Sequence, residues 1–152
     1  MKIVILGAGA VGSTLASLLS KENDLVVVDQ SSSELHRLEE EADIKTIIGG
    51  ASYPNILVNA GIQEADMVVA VTGSDETNIV SCMIAKVLNK SIKTIARVRE
   101  ISYLKGKTKE AMDSGEIPVD IHISPEQLIT EHIQGLIEIP GSLQVMEFGQ
   151  GK

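Results

Sequence analysis

The chain has 152 residues, 43% of them apolar, which suffices for one domain of ordinary size and not for two. Its formal net charge of −8 and 2% aromatic content leave no basic patch with an aromatic platform, which argues against nucleic acid and anionic membrane surfaces as partners. A single cysteine fits a reducing compartment, and no apolar run approaches the roughly 18 to 20 residues that span a bilayer.

The first predicted element is a strand over Lys2 to Leu6, which runs directly into Gly7-Ala8-Gly9-Ala10-Val11-Gly12. Val11, Leu15, Leu18 and Leu19 then recur at helical spacing, so the glycines sit where a strand hands over to a helix. This is a dinucleotide-binding fingerprint. Gly7 permits the tight turn, Gly9 lets the backbone approach a pyrophosphate, and Gly12 allows close packing of helix on strand. The phosphates would rest on the helix N-terminus, where N–H groups and the positive dipole end favour an anion. These glycines also separate the apolar start from a signal peptide.

The second strand, Leu25 to Asp29, ends in a carboxylate 22 residues after Gly7. An acid there can accept both hydroxyls of an adenosine ribose and repels a 2′-phosphate, so NAD or NADH is expected over the 2′-phosphorylated cofactors. The alternative role for Asp29 is to cap the following helix, Ser31 to Glu41. Ser31, with Glu34 three residues on, already offers a capping box there.

Further apolar runs predict strands at Thr46 to Ile48, Met67 to Thr72, Thr94 to Val98 and Val119 to Ile123. Helices are expected from Pro54 to Gly61, from Asp75 to Leu88 and, more weakly, from Ser102 to Ser114. Thr72 and Gly73 follow the fourth strand and should face the same cleft as Gly7 to Val11, with Ser74 or Asp75 as the helix cap. Arg97 ends the fifth strand, and alternation points Arg97 and Arg99 the same way; a guanidinium there could hold a phosphate or pair with the acidic surface. Lys105, Lys107 and Lys109 read as a solvated face. A last helix opens at Ser124-Pro125-Glu126-Gln127, with Leu128, Ile129, Ile133, Leu136 and Ile137 as an apolar stripe suited to a partner.

Strand alternating with helix throughout predicts an α/β fold: a Rossmann-like, doubly wound, mainly parallel six-stranded sheet with helices on both faces and a C-terminal crossing helix. Residues 1–139 form the nucleotide-binding domain, and residues 140–152 a tail or linker to an absent domain. Cys82 is expected to pack as a small hydrophobe. His36, His122 and His132 fall on different elements and form no triad or metal spacing with it, so no catalytic residue and no metal site is expected. A hydride-transfer enzyme would need a substrate domain that this chain has no room for. The rival readings are a dehydrogenase or reductase half without its catalytic domain, and a module that binds nothing.

The fingerprint with Asp29, the Ile48-Gly49-Gly50-Ala51-Ser52 turn, Ala65-Asp66, Ser74-Asp75-Glu76-Thr77-Asn78, Ala96-Arg97-Val98 and Ile123-Ser124-Pro125-Glu126 together resemble the TrkA-like regulator of potassium conductance (RCK/KTN) domain family. The resemblance runs over nearly the whole chain. It implies a cytoplasmic, non-enzymatic regulator, peripheral at the inner face of the cell membrane, that forms homodimers or larger rings and acts on an integral-membrane potassium transporter subunit. It also implies NAD binding at Gly7, Ala8, Gly9, Ala10, Val11, Gly12, Asp29, Thr72, Gly73 and Arg97, with ATP or ADP possible in the same cleft. Two positions depart from the family pattern. Gly50 stands where an acidic residue is frequent, and Lys105 to Lys109 is unusually basic. The family commonly continues beyond this length, so the chain reads as an N-terminal domain or a short member.

Overall fold

The computed structural model describes residues 1–125 and 133–135. Six strands, β1 (Lys2–Leu6), β2 (Asp24–Asp29), β3 (Lys45–Ile48), β4 (Met67–Ala70), β5 (Lys93–Arg97) and β6 (Ile121–Ile123), alternate with α1 (Ala10–Leu19), α2 (Ser32–Glu41), α3 (Pro54–Asn59), α4 (Asp75–Leu88) and α5 (Gly106–Ser114). The sheet order is β3-β2-β1-β4-β5-β6, and every pairing among the described residues is parallel. The expected doubly wound Rossmann-like sheet is therefore present. Its order reverses between β1 and β4, and a ligand cleft belongs at the carboxyl ends of strands beside such a reversal.

Burial on both faces explains the continuous apolar runs. Ile3, Ile5, Leu25 and Val27 pack with Ala16, Leu35 and Leu38 under α1 and α2. Their neighbours Val4, Leu6, Val26 and Val28 turn the other way, onto Leu57, Ile79, Cys82 and Ala85 of α3 and α4. Cys82 is fully buried in that second layer, as a small hydrophobe should be.

Several boundaries differ from the sequence expectation, and at two of them a side chain replaces a ladder partner. β4 stops at Ala70: Val71 still donates to Leu6 O (2.8 Å), but the Thr72 N–H turns to the Asn78 side chain. β6 starts at Ile121 because the Asp120 N–H donates to Thr94 Oγ1 (3.0 Å) while its carboxylate accepts the Thr94 N–H (2.8 Å). The weak fifth helix divides into a 3₁₀ turn, Ile101–Leu104, and α5, separated by Lys105 in an extended conformation.

Ser124 is buried, and Pro125 and residues 133–135 are helical. The rest of the predicted last helix, including Leu128, Ile129, His132, Leu136 and Ile137, and the 140–152 segment lie outside the described residues.

Candidate functional site

The turn after β1 is tied to the end of β2 by two hydrogen bonds. Gly7 N–H donates to Val28 O (2.8 Å), and Ala8 N–H donates to Asp29 Oδ2 (2.7 Å). The other oxygen of the same carboxylate, Oδ1, accepts the Ser31 N–H at 2.7 Å. Asp29 therefore steadies the start of α2, as one sequence reading has it, and also fastens the glycine turn. The capping box is only half formed. Ser31 Oγ accepts the Glu34 N–H at 3.4 Å, but the Glu34 carboxylate pairs with Arg37 (2.5 Å), and Asp29 takes its place at the Ser31 N–H. A carboxylate has about four lone-pair sites, so two backbone contacts leave Asp29 able to accept further donors.

Beside Asp29 lies a cavity of about 290 Å³. It is lined by Val28, Asp29 and Gln30 from the end of β2, Gly49 and Ala51 after β3, and Thr72, Gly73, Ser74 and Thr77 where β4 gives way to α4. That volume is at the lower end of the roughly 300–1,000 Å³ of small-molecule sites, the size of an adenosine moiety more than a whole dinucleotide. Larger concavities exist, but volume alone does not mark the site. One of about 490 Å³ between Met112 and His122 sits at the opposite sheet edge, where β6 begins. Another, about 570 Å³, adjoins the cleft across Gly73 and Ser74 and extends to Arg99.

The glycine turn fits a pyrophosphate. A Cβ at Gly7, whose φ is +109°, would lie 2.9 Å from Val71 O, so this turn touches the end of β4. A Cβ at Gly9 would meet nothing within 4 Å, which leaves the front of α1 open to an approaching group. No side chain caps α1 and no acid stands in its first turn. In contrast, α2 and α4 are capped by Ser31 and Ser74 and carry Glu34 or Asp75 and Glu76 in their first turns. An anion is therefore favoured at α1 and opposed at α4.

Of the expected site residues, Asp29, Thr72 and Gly73 line the cavity; Gly7 to Gly12 do not, and the glycine turn is joined to the lining by the Gly7 and Ala8 N–H groups, which donate to Val28 and Asp29. Arg97 is half-buried at the end of β5, one strand farther from the order reversal, with its carbonyl oxygen held by Asn78 (2.9 Å). β5 ends at Arg97, so the strand does not extend to Arg99. Beyond Val98 the Arg99 and Glu100 N–H groups both donate to Asp75 Oδ2 (2.9 and 2.7 Å). The Arg99 guanidinium then reaches back to Gly73 O, with its Nε 3.9 Å from Asp75 Oδ1. In the same loop Glu100 accepts the Ser102 N–H (3.0 Å), which holds its carboxyl below the usual value.

Sequence reasoning missed Gln30 and Thr77 as lining residues, and Asp75 and Asn78 as fasteners of strand ends. Only the Ser74 to Asn78 run signalled the last two. Gly50, the departure from the family pattern, is packed under Tyr53, whose ring carbons lie 2.9–3.0 Å from where its Cβ would be. Lys105, Lys107 and Lys109 are exposed, and Lys109 pairs with Asp113 at 2.5 Å. Among the described residues no three His, Cys, Asp or Glu side chains gather as metal ligands, and no helix is long and apolar enough to cross a membrane.

The family model of the TrkA-N domain matches residues 3–125. The chain belongs to this family. As a TrkA-N domain it is similar to the Trk system potassium uptake protein TrkA of Halomonas elongata, 49% identical over 152 residues that cover 99% of this chain and 33% of that protein. The protein of the same name from Vibrio alginolyticus is 47% identical over 154 residues, covering 100% and 33%. The chain thus spans about a third of the length of these curated relatives. Among solved structures, the TrkA-N domain of the Escherichia coli inner membrane protein ybaL has a TM-score of 0.74 at 21% identity, covering 90% of this chain and 96% of that one. The GsuK channel bound to NAD reaches 0.70 at 23% identity, covering 89% and 23%. At these identities the structural likeness establishes the TrkA-N fold alone.

Proposed function

We propose that this chain is a cytoplasmic nucleotide-binding domain that regulates a membrane potassium uptake system through ligand-dependent conformational change. The observation that carries the nucleotide half of this reading is the Asp29 carboxylate, fixed by the Ala8 and Ser31 N–H groups at the mouth of the cavity. The regulatory half is supported by the potassium uptake relatives, whose names favour it over a truncated dehydrogenase or other enzyme.

In this reading Gly7, Ala8, Gly9, Ala10, Val11 and Gly12 receive the pyrophosphate of NAD or NADH, Asp29 the adenosine ribose, Thr72 and Gly73 the wall of the cleft, and Arg97 a phosphate. ATP or ADP would occupy the adenosine end of the same cleft. A structural neighbour bound to NAD supports this ligand class. Residues 1–139 are the working domain, with 140–152 as tail or linker. Homodimers or larger rings hold the protein at the inner membrane face through a transporter subunit. Bound ligand shifts such an assembly only by its difference in affinity for two states, so the ligands that regulate must be distinguished at the cleft.

Calorimetric titration with NAD⁺, NADH, NADP⁺, ATP and ADP tests this. Binding of NAD(H) with NADP⁺ weaker by about tenfold or more, roughly 1.4 kcal/mol, is expected, and Asp29→Ala should relax that discrimination. Absence of heat with every nucleotide would overturn the reading.

A further inference from the structure

Asn78 sits in the second turn of α4 with no exposure to solvent, and its carboxamide spends its whole hydrogen-bonding capacity on two strand ends. The Thr72 N–H can only donate, so Oδ1 faces it at 2.9 Å. The carbonyls of Thr72 (3.2 Å) and Arg97 (2.9 Å) can only accept, so Nδ2 faces them. The orientation of the amide is thereby fixed by its neighbours. Oδ1 has no proton to give, so in this contact the Thr72 hydroxyl, 2.6 Å away, is the donor; the Ser74 carbonyl, at 3.2 Å, is the longer of its two acceptors. The same hydroxyl oxygen receives the Ser74 N–H at 3.3 Å.

The consequence falls on the cleft. Thr72 lines the cavity beside Asp29, and its hydroxyl proton is already committed. What remains at that oxygen is acceptor character. The Arg97 carbonyl, on the neighbouring strand, is drawn to the same amide, which sets the spacing of the β4 and β5 ends.

We propose that Asn78 is a positioning residue for the nucleotide cleft: it holds the ends of β4 and β5 together and turns the Thr72 hydroxyl so that its oxygen meets the ligand as an acceptor. This rests on the nucleotide reading above and deepens it. Asn78 touches no ligand itself; it acts through Thr72.

The test is a double-mutant cycle on the full 152-residue chain, read by calorimetric titration with NAD⁺ and ADP, with thermal melting recorded alongside. The wild type is titrated first. If it binds neither probe, the nucleotide reading fails, and this inference falls with it. If it binds, Asn78→Ala and Thr72→Val should each weaken binding about tenfold, while the double variant loses about twentyfold and not a hundredfold, because both changes remove the same arrangement. Asn78→Asp keeps the size and Oδ1 but sets a second oxygen against two carbonyls. It should also weaken binding, and it carries the cycle if Asn78→Ala does not fold. Binding by the Asn78 variants within about twofold of wild type, or losses that multiply independently to about a hundredfold, would overturn the proposal.

Discussion

A methyl group on Gly12 would lie 1.8 Å from the carbonyl oxygen of Gly7, so α1 and the turn that precedes it meet backbone against backbone. Gly9, two residues into the turn, has no such neighbour within 4 Å. The two outer glycines of the fingerprint serve the fold, and the middle one leaves room for something else.

These roles separate in mutants. Gly12→Ala should cost about 1–3 kcal/mol of stability, seen as a lower urea midpoint, because helix and turn must part to admit the methyl. Gly9→Ala, at an extended φ of −68° with open space ahead, should stay within about 0.5 kcal/mol of wild type. Its loss should instead appear in the affinity for NAD⁺. A Gly12→Ala chain as stable as wild type would mean that the contact carries no weight.

Asp75 offers a second measurement. Its buried carboxylate accepts the Arg99 and Glu100 N–H groups, and Asp75→Ala leaves both without that acceptor. A loss of about 1–3 kcal/mol is expected in chemical denaturation. Amide hydrogen exchange at residues 99 and 100 should rise with it; unchanged protection there would contradict the assignment.

Cys82 gives a pH dependence. Burial first, with the charge of Asp120 adding and Lys86 opposing, pushes its thiol from 9.0 up to about 12. The unfolded chain releases this proton near 9.0 and the native chain keeps it, so the stability involved is complete below pH 9 and declines as pH climbs toward 12. Cys82→Ala should flatten that alkaline decline. A thiol reagent at pH 8 should label only unfolded protein, and rapid labelling of the native chain would contradict the burial.

Most of the fold was legible because a sheet covered on both faces demands unbroken apolar runs, and each of the six runs from Lys2–Leu6 to Val119–Ile123 holds a strand. The glycine turn and Asp29 were legible because their residue types are tied to backbone geometry. Periodicity failed where side chains take over from the ladder. Thr72 belongs by composition to β4, yet Asn78, six residues on, claims its N–H. Alternation aligned Arg99 with Arg97, but β5 ends at Arg97, and Asp75, twenty-four residues back, takes the Arg99 N–H. Such long-range polar pairings leave no periodic trace, and the cleft walls depend on them.

Asp29 couples two requirements that an engineer would prefer to vary separately. The oxygens that would greet an unphosphorylated sugar also fasten the backbone at Ala8 and Ser31. Exchanging the acid for a smaller or basic residue, the obvious way to welcome NADP(H), strips those two amides of their acceptor in the same stroke. Changing cofactor taste here calls for a compensating acceptor elsewhere in the turn, and any lineage that made the change would have had to supply one.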